Sequence, residues 1–326
     1  MTTTTARPGY DIELSAVINS FPPLPPIDWE KVESLREQTN LDMSSISQRA
    51  EELGVVIEDK TITGPRGDVI LAILSPKERA QNMPAIYWVH GGGMIVGSRY
   101  SGMAELELVE WVAKYGIVAI SPEYGLAPET PAPGGVEDSY AGLVWTAEHA
   151  EELGIDAGRI LIYGCSGGGG IAAAVALLAR DKGGPALYGQ MLICPQLDDR
   201  NNSVSARQHA AADGVVSVWP LEYNQYAWDA LLGEGHSDRE VSIYAAPARA
   251  TDLSGLPTTF IDAGSAEVFR DESVAYASLL WEGGVQAELH IWRGGYHGFD
   301  IIAPTIPVSV ATKAARESWL ERILSQ

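Results

Sequence analysis

The stretch Tyr163-Gly164-Cys165-Ser166-Gly167-Gly168-Gly169-Gly170 decides how the rest of the chain is read. It follows the apolar run Ile160-Leu161-Ile162 and leads into Ile171-Ala172-Ala173-Ala174-Val175. The first run predicts a buried strand and the second a helix. Four consecutive glycines suit the interior of neither, so they mark a turn, a phosphate loop or a linker. A phosphate loop needs Lys directly before its closing Ser or Thr, and none is present. Gly164-Cys165-Ser166-Gly167-Gly168 does match G-x-S-x-G, and between strand and helix that pattern is a nucleophile elbow. Its glycines permit a sharp turn that lifts the serine Oγ clear of the sheet and aims the next N–H at a developing oxyanion. Gly169 and Gly170 are not required by the motif. Each costs the start of the helix up to about 1 kcal/mol against alanine, so close packing or room beside Ser166 must account for them.

Outward from this turn, short apolar runs alternate with amphipathic stretches. Strands are predicted at 55–62, 69–74, 85–89, 117–120, 159–163, 189–193, 258–261 and 287–292. Helices are predicted near 103–115, 135–151, 170–182, 271–282 and 307–325. That alternation implies a mostly parallel, doubly wound α/β sheet covered on both faces. Short Gly/Pro turns such as Gly64-Pro65-Arg66-Gly67 join the first strands, so that edge is expected to be antiparallel. Residues 1–54 differ: after the Pro-rich turn at 21–26, they read as two helices, from Trp29 to about Gln38 and from about Ser44 to Leu53. The interval 197–256 offers no strand, and a helix is expected to start near Ser217. So long a structureless loop is unusual in a compact domain, which makes this interval an inserted lid. The chain therefore divides into an N-terminal helical cap segment (1–54), a catalytic domain (55–196 and 257–326) and a lid (197–256).

A serine is a poor nucleophile without a base and an orienting acid. With such an elbow, acid and base follow in the order Ser, Asp/Glu, His, on loops after later strands. After the strand at 287–292 comes Arg293-Gly294-Gly295-Tyr296-His297-Gly298-Phe299. His297 is the best-placed base among six histidines; His149, His209, His236 and His290 fall in helix, lid, loop and strand positions. Asp262, Glu267 and Asp271 follow the strand at 258–261. Asp271 suits the charge of the next helix N-terminus, while Asp262 and Glu267 both remain candidates. The third part is Tyr87-Trp88-Val89-His90-Gly91-Gly92-Gly93-Met94, an HGGG-type loop whose N–H groups supply an oxyanion hole. Gly92 and Gly167 are expected as donors, with Gly91 or Gly93 as the third. His90 reads as a structural hydrogen-bonding residue. Met94, Trp219, Tyr223, Tyr226 and Phe299, with Trp228, suggest an apolar substrate pocket; each is equally well explained as core packing.

The chain has 326 residues, 46% of them hydrophobic, and a formal net charge of −21 from 22 basic and 43 acidic side chains. So acidic a surface disfavours nucleic acid and anionic membranes as partners. Cys165 and Cys194 are the only cysteines, too few for a disulfide framework or a zinc site, which fits a reducing compartment. The N-terminal residues carry no apolar signal region, and no run of about 18 apolar residues occurs. The sequence reads as a cytoplasmic protein without metal or cofactor.

Taken together, His90-Gly91-Gly92-Gly93, the elbow at Ser166, Glu267 and His297 resemble the hormone-sensitive-lipase-like, bacterial family IV carboxylesterases. "SPEYGLAPETPAPGGVEDSYAGLVWTAEHAEELGIDAGRI" (121–160) and "VFRDE" (268–272) carry the resemblance further, over residues 55–325. It implies an α/β-hydrolase fold with an eight-stranded sheet and a helical cap, and a Ser166–Glu267–His297 triad, since keeping Arg270-Asp271-Glu272 in register places the acid on Glu267. It also implies turnover of small to medium apolar esters or lactones, without a cofactor. "CPQLDDRNNSVS" and "VSIYAAPARATDLSGLP" are similar to a subgroup of heroin-esterase-like and zearalenone-lactonase-like enzymes. Amidases share the same triad, and the plant gibberellin receptors share the fold without the histidine that is present here. Family members often pair through the last strand, which implies a homo-oligomer. The departures are Cys165 where the family usually has Asp, Gly167 for Ala, Gly125 for Arg, and Glu267 for Asp.

Overall fold

The computed structural model describes residues 6–22, 24–39, 43–103, 107–211 and 216–326. Its eight strands are β1 (Val55–Gly64), β2 (Gly67–Pro76), β3 (Met83–Val89), β4 (Val118–Pro122), β5 (Ile155–Cys165), β6 (Gly189–Ile193), β7 (Thr259–Gly264) and β8 (Ala287–Trp292). They form one sheet in the order β1-β2-β4-β3-β5-β6-β7-β8. β1 and β2 pair antiparallel, as does β2 with β4, and every later pair is parallel. β3, β4 and β6 are buried at nearly every position, as is β5 from Ile160 onward, because helices cover both faces. The helices Gly134–Glu148, Gly167–Lys182 and Arg270–Glu282 contribute to one core, while Leu108–Tyr115 and Pro307–Leu324 contribute to the other.

All eight predicted strands are present. β5 starts earlier than the apolar run because Ile155 pairs with Met83 ahead of an irregularity in the register. The helix expected near 103–115 runs from Leu108 to Tyr115, with 104–106 outside the described residues. Predicted helices at both N-terminal positions occur as Trp29–Thr39 and Met43–Leu53. A further helix, Ile12–Ile18, escaped the sequence reading. Asp11 caps it by accepting from the Glu13 and Leu14 amides, and Leu14 and Ile18 bury against Tyr296 and Phe299. With Ile12 84% exposed and two buried residues only, its apolar stripe is too short to read from periodicity.

The interval 197–256 contains no strand among its described residues, and 212–215 lie outside them. Its main helix is Leu221–Leu232, which starts after Pro220 and not near Ser217. The two feet of the interval are clamped together. Arg249 donates from Nε and Nη2 to the two Asp199 carboxylate oxygens, both at 2.7 Å, and His236 Nδ1 lies 3.0 Å from the same carboxylate. Burial opposes the charge of Asp199, yet the bonds from Arg249 and His236 hold its carboxyl below the usual range. Glu272, buried under the first foot, accepts from the Leu197 amide at 2.7 Å.

Candidate active site

Ser166 stands at the junction of β5 and the helix Gly167–Lys182 with φ 56° and ψ −124°, a conformation that side chains rarely adopt. Main-chain bonds hold it there: its N–H donates to Ile193 O at 2.8 Å, and its carbonyl accepts from Gln196 N at 3.0 Å and Gly170 N at 3.1 Å. The glycines answer the question their run raised. A Cβ on Gly168 would collide with the carbonyls of Val89 and His90, and one on Gly170 with the carbonyl of Gln196. The helix therefore starts hard against the ends of β3 and β6, and a Cβ on Gly169 would lie 2.9 Å from Pro195 Cβ, a milder clash. Close packing, and not open room, explains the last two glycines.

The side chains converge on Ser166. Its Oγ lies 2.9 Å from His297 Nε2, and His297 Nδ1 lies 2.6 Å from Glu267 Oε2. The other Glu267 oxygen accepts from the Gly264 amide at 2.6 Å, so both carboxylate oxygens are engaged and the group cannot rotate freely. Glu267 is 1% exposed, whereas Ser166 and His297 are 6% and 8% exposed, so the carboxylate is the most deeply buried of the three. The Phe269 ring meets His297 edge-on, with centroids 5.1 Å apart. Sequence reasoning used Val268-Phe269-Arg270-Asp271-Glu272 only to fix the register of the acid and missed this wall.

Asp262, the other carboxylate left open by the residues alone, is committed elsewhere. It accepts from Arg316 Nε at 2.8 Å and from Arg316 Nη2 at 3.1 Å, and Arg316 Nη1 also pairs with Asp300. All three are buried, an ion cluster below the strand ends. Asp271 accepts from the Ser205 amide at 2.7 Å and pairs with Arg270, so it too lies outside the chain of bonds from Ser166.

The HGGG loop approaches Ser166 from β3. Gly92 has φ 110° and turns so tightly that a Cβ would strike the Val96 carbonyl. Gly93 N lies 2.9 Å, and Met94 N 2.7 Å, from where a Cβ on Gly167 would stand, and Gly91 is packed against Cys165 O and Ser166. The amides of Gly92, Gly93 and Gly167 donate to no acceptor among the described residues. His90 is fully buried, stacked on Tyr124 at 4.2 Å, with Nδ1 2.8 Å from Gly91 O. Burial lowers its pKa to about 4, and it remains a neutral brace for the loop.

Of the aromatic residues expected around a pocket, Trp219 reaches the site. Its ring occupies the space where a Cβ on Gly93 would go, and its centroid is 6.4 Å from that of His297. Its Nε1 donates to Asn224 Oδ1, and Asn224 Nδ2 donates to Asn201 Oδ1. Tyr223 meets Trp219 edge-on and donates to Pro25 O, while Tyr226 lines an outer groove with Leu24, Pro25 and Ile27. Met94 lines an apolar pocket with Val136, Ile171, Leu231 and Ala245. Phe299 packs with Leu14, Ile18 and Tyr296 under the N-terminal helix. Trp228 is fully buried.

Comparison with known proteins agrees with this architecture. A family described as alpha/beta hydrolase fold matches residues 86–301. The carboxylesterase NlhH of Mycobacterium tuberculosis is 32% identical over 98% of each chain. Among solved structures, a bacterial heroin esterase is 35% identical with a TM-score of 0.84, covering 97% of this chain and 98% of that one. Esterase LipW from Mycobacterium marinum is 28% identical with a TM-score of 0.85, covering 99% and 100%. No helix among the described residues is long and apolar enough to cross a membrane. The fold and these relatives together place the chain in the hormone-sensitive-lipase-like family of α/β-hydrolase carboxylesterases.

Proposed function

We propose that the protein hydrolyses small to medium apolar carboxylic esters or lactones through an acyl-enzyme on Ser166. The hydrogen-bonded chain Ser166–His297–Glu267 carries this reading. His297 Nε2 takes the proton from Ser166 Oγ as it attacks the ester carbonyl, and returns it to the leaving alcohol. Glu267 holds the tautomer with the proton on Nδ1 and stabilises the imidazolium that forms. The developing oxyanion lies against the free amides of Gly167, Gly92 and Gly93, with Gly91 supporting the loop from behind. Water then attacks the acyl-enzyme by the same proton path in reverse.

The segments 1–54 and 197–256 act as the cap that selects the substrate. Trp219 forms the aromatic wall nearest His297, backed by Tyr223, and Met94 leads into the apolar pocket. The aromatic wall favours an apolar acyl or alcohol group, an aryl ester or a macrocyclic lactone such as zearalenone among them, and one similar protein is named as a heroin esterase. The test is a panel of short p-nitrophenyl esters, aryl esters, macrocyclic lactones and anilides. Ester or lactone turnover is expected, with Ser166→Ala lowering kcat by about 10⁶-fold. Full activity in Ser166→Ala would overturn the mechanism, and turnover of anilides alone would make the protein an amidase.

A further inference from the structure

Two sulfurs that take no part in ester hydrolysis lie beside the reacting groups. Cys165 Sγ and Cys194 Sγ are 3.9 Å apart, both free and both buried. Strand register alone would not bring them together. Cys165 pairs with Ile193, so Cys194 would point to the opposite face of β6. Its φ of 37° turns it back, and Cys165, Ile193 and Cys194 share one core cluster.

The pair is also joined to the site from both ends. Cys165 immediately precedes Ser166, and Cys194 follows Ile193, whose carbonyl accepts the Ser166 N–H. The Cys194 sulfur, a Glu267 carboxylate oxygen and a His297 ring nitrogen lie within 4.8 Å of one another. Cys194 is therefore the thiol beside Glu267 and His297, buried with them.

The structure assigns to Cys165 and Cys194 a thiol–disulfide modification site, whose co-reactant is hydrogen peroxide and whose closure switches off turnover at Ser166. Cys194 sulfur attacks one peroxide oxygen, the O–O bond breaks, and water leaves with sulfenic acid formed at Cys194. Cys165 sulfur then attacks that sulfur, the S–O bond breaks, and a second water leaves as the S–S bond forms. Two thiols are oxidised by two electrons in all, and one peroxide is reduced to two waters. Burial excludes bulky disulfides such as glutathione disulfide as oxidants. The Cys194 thiol pKa is raised well above its usual value by its contact with Cys165 and by burial, which keeps the attack on peroxide slow. Closure requires the sulfurs to approach by about 1.9 Å from their present contact. Movement of that size, shared between residues 165 and 194, displaces Ser166 relative to His297. A misplacement of about 1 Å costs about 10²-fold in rate.

The consequence for turnover rests on the hydrolase reading above, whereas the disulfide does not. The reduced protein is treated with hydrogen peroxide, its intact mass and a p-nitrophenyl ester rate are followed together, and dithiothreitol is then added. Expected are loss of two hydrogens, a peptide linking Cys165 to Cys194, and a parallel fall in rate of at least tenfold, all reversed by dithiothreitol. Cys165→Ala should form no link and keep its rate at the peroxide dose that closes the pair in the parent. Oxygen uptake without loss of two hydrogens, a disulfide that leaves the rate unchanged, or equal reversible inactivation of Cys165→Ala would each overturn the assignment. Mass on the parent decides the link even if the variant does not fold. A reduced parent with no ester turnover would sink the hydrolase reading alone.

Discussion

Around Ser166 the constraints come from main chain: carbonyls of Val89, His90 and Gln196 leave no space for a Cβ at Gly168 or Gly170. In the segment 197–256 they come from side chains, with Trp219 seated on Gly93 and held through Asn224, and Arg249 gripping Asp199. The difference teaches which part can vary. A turn whose fit is set by backbone tolerates almost no substitution, while an aromatic wall can be exchanged for another without moving the sheet. On the proposed reading, chemistry resides in the first region and selectivity in the second.

The largest expected effect separates the two buried carboxylates near the end of β7. Glu267→Gln should lower kcat by about 10⁴-fold with little change in stability, because the imidazole loses its orienting acceptor. Asp262→Asn should do the reverse, since it weakens the Arg316–Asp262–Asp300 cluster. Breaking a buried pair typically costs about 3–5 kcal/mol, with kcat nearly unchanged in the folded fraction. Steady-state kinetics beside chemical unfolding would check both, and equal kcat losses would erase the distinction.

Gly170→Ala tests the main-chain fit. Helix propensity alone predicts a gain of about 1 kcal/mol. Collision with the Gln196 carbonyl predicts instead a loss of about 1–3 kcal/mol, together with about 10²-fold in kcat as Ser166 shifts. A stabilised, active variant would refute the close-packing account of the glycine run. On the other side of the comparison, Trp219→Ala should raise KM for aromatic esters by about tenfold, with a smaller change in kcat. A fall in kcat matching that of Gly170→Ala would show that the wall belongs to the chemistry.

The smallest effect concerns pH. Burial lowers the pKa of both His90 and His209 to about 4 from the ordinary 6.5. Between those values the unfolded chain binds protons that the folded chain does not, so stability falls as pH drops from about 6.5 towards 4. Neither ring nitrogen of His209 has a hydrogen-bond partner among the described residues. His209→Phe should therefore flatten the acid loss and raise the melting midpoint at pH 5 by about 2–4 °C relative to the parent. An unchanged pH slope would show that other groups carry it.

The alternation of apolar runs and helices, the elbow and the HGGG loop were all legible along the chain, because each is a local pattern with one physical solution. Which carboxylate meets His297 was legible only by resemblance. Nothing in the residues themselves separates Glu267 from Asp262, and the separation comes from Arg316, 54 positions away in sequence from Asp262. The helix Ile12–Ile18 was missed because its two buried residues find their partners at Tyr296 and Phe299. Of the aromatic residues, sequence could name candidates but could not rank Trp219 above Phe299, since burial depends on what packs opposite.

By itself, then, the sequence determined the sheet, the strained serine and the type of hydrolytic chemistry, through periodicity and turn residues that act over a few positions. Only the tertiary structure decided which carboxylate meets His297, why Gly169 and Gly170 carry no side chain, and that Cys165 and Cys194 touch. Those outcomes depend on distances between segments far apart in the chain, which folding sets and no local pattern encodes.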